Sequence, residues 1–86
     1  GSWLALSRLR KANSDNNVLV GSVLEMDTFD STVYNETDEL VCAFGVSDLV
    51  IVRTAKAVLV AHKSHLDEIK RLMEKLKSEE RWQDFL

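Results

Sequence analysis

With 86 residues the chain holds one domain at most, and a domain this small buries only about 60–65% of the surface its unfolded form exposes. Hydrophobic residues at 45% and charged residues at 29% argue against disorder, while a net charge of −3 gives no electrostatic reason to expect nucleic-acid binding. The single cysteine, Cys42, cannot form an internal disulfide, which suits a reducing compartment. No apolar run approaches the roughly 20 residues of a membrane span, and no signal peptide is visible, so the expectation is a cytoplasmic domain without a membrane or nucleic-acid partner.

Residues 1–11 place Trp3, Leu6 and Arg10 at helical spacing, with Ser2 as a candidate N-cap, and predict a short helix that needs a surface to dock on. Residues 12–17, ANSDNN, lack any large apolar group and predict a connector loop. Residues 18–63 read as β structure. Short runs rich in β-branched residues recur at Val18–Val20, Val23-Leu24, Thr32–Tyr34, Leu40–Ala43, Leu49–Val52 and Ala57–Val60. Polar clusters at Asp27–Ser31, Asn35–Glu39, Ser47-Asp48 and Arg53–Lys56 separate them, and the runs show little strict alternation.

Spacing is the informative part of this region. An offset of 18 residues aligns Val23 with Val41, Leu24 with Cys42, Met26 with Phe44, Asp30 with Asp48, Val33 with Ile51 and Tyr34 with Val52. It also aligns Leu40 with Val58 and Ala43 with Ala61, but matches Thr28 with Val46 and Phe29 with Ser47 poorly. Eighteen residues make three six-residue sides, the coil length of a left-handed parallel β-helix. The fold class predicted is therefore mainly β with flanking helices: a short left-handed parallel β-helix of about two to three coils plus a C-terminal amphipathic α-helix. A small α+β domain with an antiparallel sheet of regular strand spacing fits the same runs and stays open as the alternative.

Residues 64–86 supply a helix and a tail. Leu66, Ile69, Leu72, Met73 and Leu76 make one apolar stripe, with Lys70, Arg71, Glu74, Lys75 and Lys77 on the other face. Ser64 followed by Asp67 resembles a capping box, and the helix is expected to pack across the β region and close an open end of it. Trp82, Phe85 and Leu86 suggest a tail that docks or meets a partner.

Little here carries chemistry. His62 and His65 have a metal-like spacing, but no acidic or cysteine cluster completes a tetrahedral site, so two exposed histidines near a helix start are the preferred reading. Cys42, inside LVCAF, reads as a small core residue rather than a nucleophile. Asn35-Glu36-Thr37 matches the N-glycosylation pattern in a stretch better read as a β-turn. Asp27, Asp30, Glu36, Asp38 and Glu39 read as solvated corners, lacking the spacing of a calcium loop. With no glycine-rich phosphate loop, the predicted site list is empty: no catalytic, cofactor-binding or metal-binding residue.

Gly21-Ser22-Val23-Leu24 with Asp27-Thr28, and then Gly45-Val46, Asp48-Leu49-Val50, Val52, Thr54 and Ala57 to Ala61, resemble the C-terminal region of the bacterial mannose-1-phosphate guanylyltransferases. In that family a stretch of this form precedes a helix like that at Ser64–Lys77; Arg53 and Lys56 depart from it, standing where acidic residues are usual, and His62-Lys63 replaces an acidic-basic pair. Gly1-Ser2-Trp3, with Ala5-Leu6, is similar to the family's sequence at the end of the catalytic domain, so residues 1–11 would be its last short helix and Gly1-Ser2 native rather than a tag. Arg81–Leu86 is similar to the ending of monofunctional members, without the phosphomannose isomerase domain of bifunctional ones.

The resemblance implies a parent enzyme that makes GDP-mannose from GTP and mannose 1-phosphate with Mg²⁺. Nucleotide signature, substrate lysine and metal-binding aspartates would all lie before residue 1, leaving this chain non-catalytic and free of cofactors. It implies packing on the parent's own catalytic domain and a homodimer, which the uncapped end and strand edges of a short solenoid also favour. Against this stand a self-sufficient protein-interaction module with no enzyme attached and, more remotely, a small enzyme using His62 or Cys42.

Overall fold

The structure, a computed structural model, describes residues 12–85; the helix predicted over 1–11 lies outside the described residues, as does Leu86. Six strands form two sheets: β1 (Val18–Val20), β2 (Val23–Met26), β3 (Thr32–Asn35), β4 (Val41–Phe44), β5 (Leu49–Arg53) and β6 (Val58–His62). One sheet has the order β1-β3-β5-β6 and the other pairs β2 with β4.

The chain passes repeatedly over itself with parallel pairing. Val23 to Met26 pair with Val41 to Phe44, and Thr32 to Asn35 with Val50 to Arg53, both at the 18-residue offset legible in the sequence. Phe29 and Ser47, which matched poorly by residue type, nonetheless form a parallel bridge at that same offset. The first pass is shorter: Val18 pairs with Thr32, because the link from β1 to β2 is only Gly21-Ser22 whereas Glu36–Leu40 joins β3 to β4. Parallel pairing of β1 to β5 replaces the antiparallel alternative, with one exception. β6 turns back and runs antiparallel to β5, setting Val58 against Arg53 and Ala61 against Val50, so the aligned pairs Leu40/Val58 and Ala43/Ala61 do not stack.

The corners repeat as well. Asn16, Asp30 and Asp48 immediately or nearly precede β1, β3 and β5, and each adopts a left-handed backbone (φ 60°, 54° and 57°). Asp27 and Gly45 do so after β2 and β4 (φ 49° and 68°). Asn and Asp tolerate this region because their short polar side chains bond locally, so Asp27, Asp30 and Asp48 serve backbone geometry at these corners. Asn16 Nδ2 donates to Asp30 Oδ1 at 2.8 Å, joining successive corners.

Val33, Ala43 and Ile51 form the buried core, with Leu19, Val23, Val41, Val46 and Leu49 packed around them. In β5 three consecutive residues, Val50, Ile51 and Val52, are buried, so this strand is covered on both faces. Its unbroken apolar run is that of a strand with no solvent side, paired parallel to β3 and antiparallel to β6, which is why alternation is missing from the sequence. One end of the stack is polar: buried Asn17 donates through Nδ2 to Thr28 O (2.7 Å) and to Glu25 Oε2, and accepts from Ser31 N–H at 2.9 Å. Solenoids need such a polar terminal face to stop further stacking. At the opposite end, Val58 and Val60 of β6 remain more than half exposed.

A 3-10 turn over Lys63–Glu68 leads into α1 (Ile69–Ser78), and a second 3-10 turn spans Glu80–Phe85. The capping box does not form. His62 takes the N-cap position and its ring accepts from Ser64 N–H, because β6 continues through His62 and puts Ser64 inside the turn rather than at its start. At the other end, Gln83 Nε2 donates to the carbonyls of Lys77 and Glu79 (both 3.1 Å), capping α1 from its C-terminal side. None of these helical residues is buried. Instead of lying tightly across the strands, α1 leaves an open groove of about 330 Å³ against β6, lined by Leu59, Ala61, His65, Ile69 and Leu72 among others.

Candidate interaction surface

Strand geometry sets the outer face of the β2–β4 sheet. Successive side chains point to opposite faces, so with Val23, Val41 and Ala43 in or against the core, Leu24, Met26, Cys42 and Phe44 point outward. Leu24 is 59% exposed, Met26 62% and Phe44 68%; Cys42 is exposed between them, and Leu40 stands at the same edge. Parallel register brings Leu24 beside Cys42 and Met26 beside Phe44, making a continuous apolar patch. Such a patch, on the order of 500 Å², is at the upper end of what a monomeric protein leaves in water.

Cys42 therefore does not occupy the core. The apolar run LVCAF conceals an alternation in which both faces are apolar, Val41 and Ala43 inward, Cys42 and Phe44 outward. The signal that could have placed it is the 18-residue pairing with Leu24, since Val23 and Val41 already claim the inner face.

His62 and His65 come together around one serine: Ser64 Oγ lies 2.8 Å from His62 Nδ1 and 3.1 Å from His65 Nδ1. Both histidines are exposed, and among the described residues no group of three His, Cys, Asp or Glu is placed to hold a metal ion. Asn35, the candidate glycan acceptor, is 3% exposed, and its Nδ2 donates to Ser22 O at 2.9 Å and to Glu39 O at 2.5 Å. Its Oδ1 accepts from Thr37 N–H and Thr37 Oγ1. This residue pins the long corner between β3 and β4, and the amide is consumed in doing so. Arg53, one of the departures noted in the sequence, lies 4.0 Å from Glu39 at the same corner.

Residues 21–76, from the first tight corner to α1, match the model of the MannoseP isomerase/GMP-like β-helix domain. The chain belongs to this family. A mannose-1-phosphate guanylyltransferase of Salmonella montevideo is 40% identical over 94% of this chain, and mannose-1-phosphate guanylyltransferase 2 of Escherichia coli O157:H7 is 38% identical over the same share. In each the match is to a C-terminal part, and this chain spans 17% of the relative's length. A crystal structure of a mannose-1-phosphate geranyltransferase from Thermus thermophilus superposes with a TM-score of 0.73 at 32% identity, over 88% of this chain and 23% of that one. This β-helix domain has no helix, among the described residues, long and apolar enough to cross a membrane.

Proposed function

We propose that this β-helix domain is the non-catalytic C-terminal module of a cytoplasmic nucleotidyltransferase that makes GDP-mannose from GTP and mannose 1-phosphate, and that it serves packing on the catalytic domain and dimerisation. The observation that carries the reading is the family match together with its location: relatives named for the guanylyltransferase activity align with this chain over a C-terminal sixth of their length. On this reading the stacked strands form a left-handed β-helix of two to three coils, the architecture whose 18-residue coil the parallel register matches. GTP and Mg²⁺ belong, on this reading, to the catalytic domain, and no step of the reaction is assigned to residues here. What the module offers is a rigid scaffold carrying an outward apolar face.

Replacing the C-terminal module of the Salmonella montevideo relative with this chain tests the reading. The chimaera should dimerise and make GDP-mannose, whereas the 86-residue chain alone should make none. Synthesis by the chain alone would overturn the non-catalytic assignment, and an inactive, monomeric chimaera the scaffold role.

A further inference from the structure

The passage from β6 into the helical segment is held by two histidines that converge on one serine. His62, the last residue of β6, has an extended backbone (φ −76°, ψ 141°) and takes the N-cap position of the Lys63–Glu68 turn. Its Nδ1 accepts from Ser64 N–H at 3.1 Å. Ser64 Oγ lies 2.8 Å from the same nitrogen and 3.1 Å from His65 Nδ1. A backbone amide can only donate, so His62 Nδ1 must carry its lone pair and the ring proton sits on Nε2. The hydroxyl then donates to His62 and accepts from His65 Nδ1–H, an arrangement that His65 keeps whether its ring is neutral or charged. The two rings are therefore unequal. One is required as an acceptor and the other serves as a donor.

We propose that His62 is a proton-controlled cap, which holds the start of the Lys63–Glu68 turn when its ring is neutral and releases it when the ring is protonated. The usual N-cap side chains, Ser, Thr, Asn and Asp, stay acceptors near neutral pH, whereas an imidazole loses its acceptor on protonation. Protonation sets a hydrogen on Nδ1 against Ser64 N–H. The serine hydroxyl can reverse and accept from this new donor, but the amide cannot, so the cap is present at higher pH and lost as pH falls. Lys63 N–H still bonds Asp48 O at 2.8 Å, so the chain stays tethered at the end of β6 and the turn opens from Ser64 onward. None of residues 63–78 is buried, and the groove floored by Leu59, Ala61, Ile69 and Leu72 separates them from β6, so opening the turn lets α1 move and widens that groove. The ionisable groups around the pair are few. Asp48 precedes Leu49, the β5 partner of His62; Lys63 and Asp67 lie in the turn; Glu68 and Arg71 line the groove with both rings and bond each other at 2.6 Å. Among the described residues, none of these side chains bonds an imidazole nitrogen, so the Ser64 contacts decide what protonation breaks.

NMR of the full 86-residue chain, of His62→Asn and of His65→Asn tests the cap. Asn keeps a side-chain acceptor suited to an N-cap and does not titrate. Both rings are exposed, so each variant keeps the β stack, checked by the amide shifts of β3 and β5. At about pH 8 the ring nitrogen shifts of the wild type should show His62 protonated on Nε2 alone. Between about pH 8 and about pH 5 the closed-to-open ratio of the turn, read from the Cα shifts of residues 64–68, should fall about fivefold in the wild type and in His65→Asn, the effect of losing one cap. In His62→Asn it should change less than about twofold. A His62 ring protonated on Nδ1 at the higher pH, an equal fall in His62→Asn, or a wild-type turn that is the same at both pH values would each overturn the proposal. A response abolished by His65→Asn and kept by His62→Asn would overturn it in favour of the other ring.

Discussion

At the residue scale, two glycines with the same backbone requirement separate strain from crowding. Gly21 and Gly45 both have positive φ, 86° and 68°. A Cβ on Gly21 would sit 2.1 Å from the carbonyl oxygen of Asn35, because the two-residue corner after β1 is pulled in against the strand below it; a Cβ on Gly45 meets nothing within 4 Å. Gly45→Ala should therefore cost about 1–2 kcal/mol from the backbone alone, and Gly21→Ala should cost clearly more, at least about 3 kcal/mol, in urea unfolding. Equal costs would show that the corner relaxes freely. Asn35→Ala makes the complementary test. It removes the donor to two carbonyls and the acceptor for Thr37 at a buried site, and about 2–4 kcal/mol of destabilisation is expected in the same measurement. Of these positions, Gly21 was visible in the sequence as one of three glycines. Asn35 was not, since the same Asn-Glu-Thr string reads as a turn or a glycan acceptor and only burial tells them apart.

At the element scale, the parallel register was legible wherever a coil has its full length. The pairs Val23/Val41 to Met26/Phe44 and Val33/Ile51 and Tyr34/Val52 could be read off an 18-residue offset because equivalent sides of stacked coils bury similar side chains. Two features escaped for physical reasons. β1 pairs with β3 at a shorter offset, set by a corner of two residues, and no fixed period can show that. β6 has the composition of another parallel strand, and its reversal depends on the Thr54–Ala57 turn, where Thr54 N–H bonds Ala57 O at 2.9 Å, a local geometry composition does not encode. The apolar stripe of α1 was legible, but what it faces was not, because periodicity defines a face and never its partner. Gln83 was likewise invisible as a cap, lying in a separate turn beyond α1. Gln83→Ala should cost only about 0.5–1 kcal/mol, as water replaces an exposed donor, and should act locally. Hydrogen exchange checks this: amides in the last turn of α1 should exchange faster while those of β3 and β5 keep their protection, and loss of protection in the strands would refute a purely local role.

At the scale of the whole molecule, one side of the β stack is finished and another is not. Asn17, Glu25 and Thr28 close one end with satisfied polar groups, and β5 is covered on both faces, yet the β2–β4 sheet turns Leu24, Met26 and Phe44 to water. Sequence periodicity located the inner rows and could not distinguish an outer row that stays wet from one that a partner covers. Cys42, in the middle of that row, reports on the difference without any substitution. In a monomer its thiol is open to solvent, and at low micromolar chain concentration it should react with a disulfide reagent within a few-fold of the rate in denaturant. Association through this face buries it, so its rate should fall as chain concentration passes the dissociation constant, reaching about a tenfold reduction once some nine-tenths of the chain is dimeric. A thiol that reacts slowly at every concentration would place Cys42 under a cover within its own chain. One that reacts fast even where sedimentation shows a dimer would move the interface off the β2–β4 face.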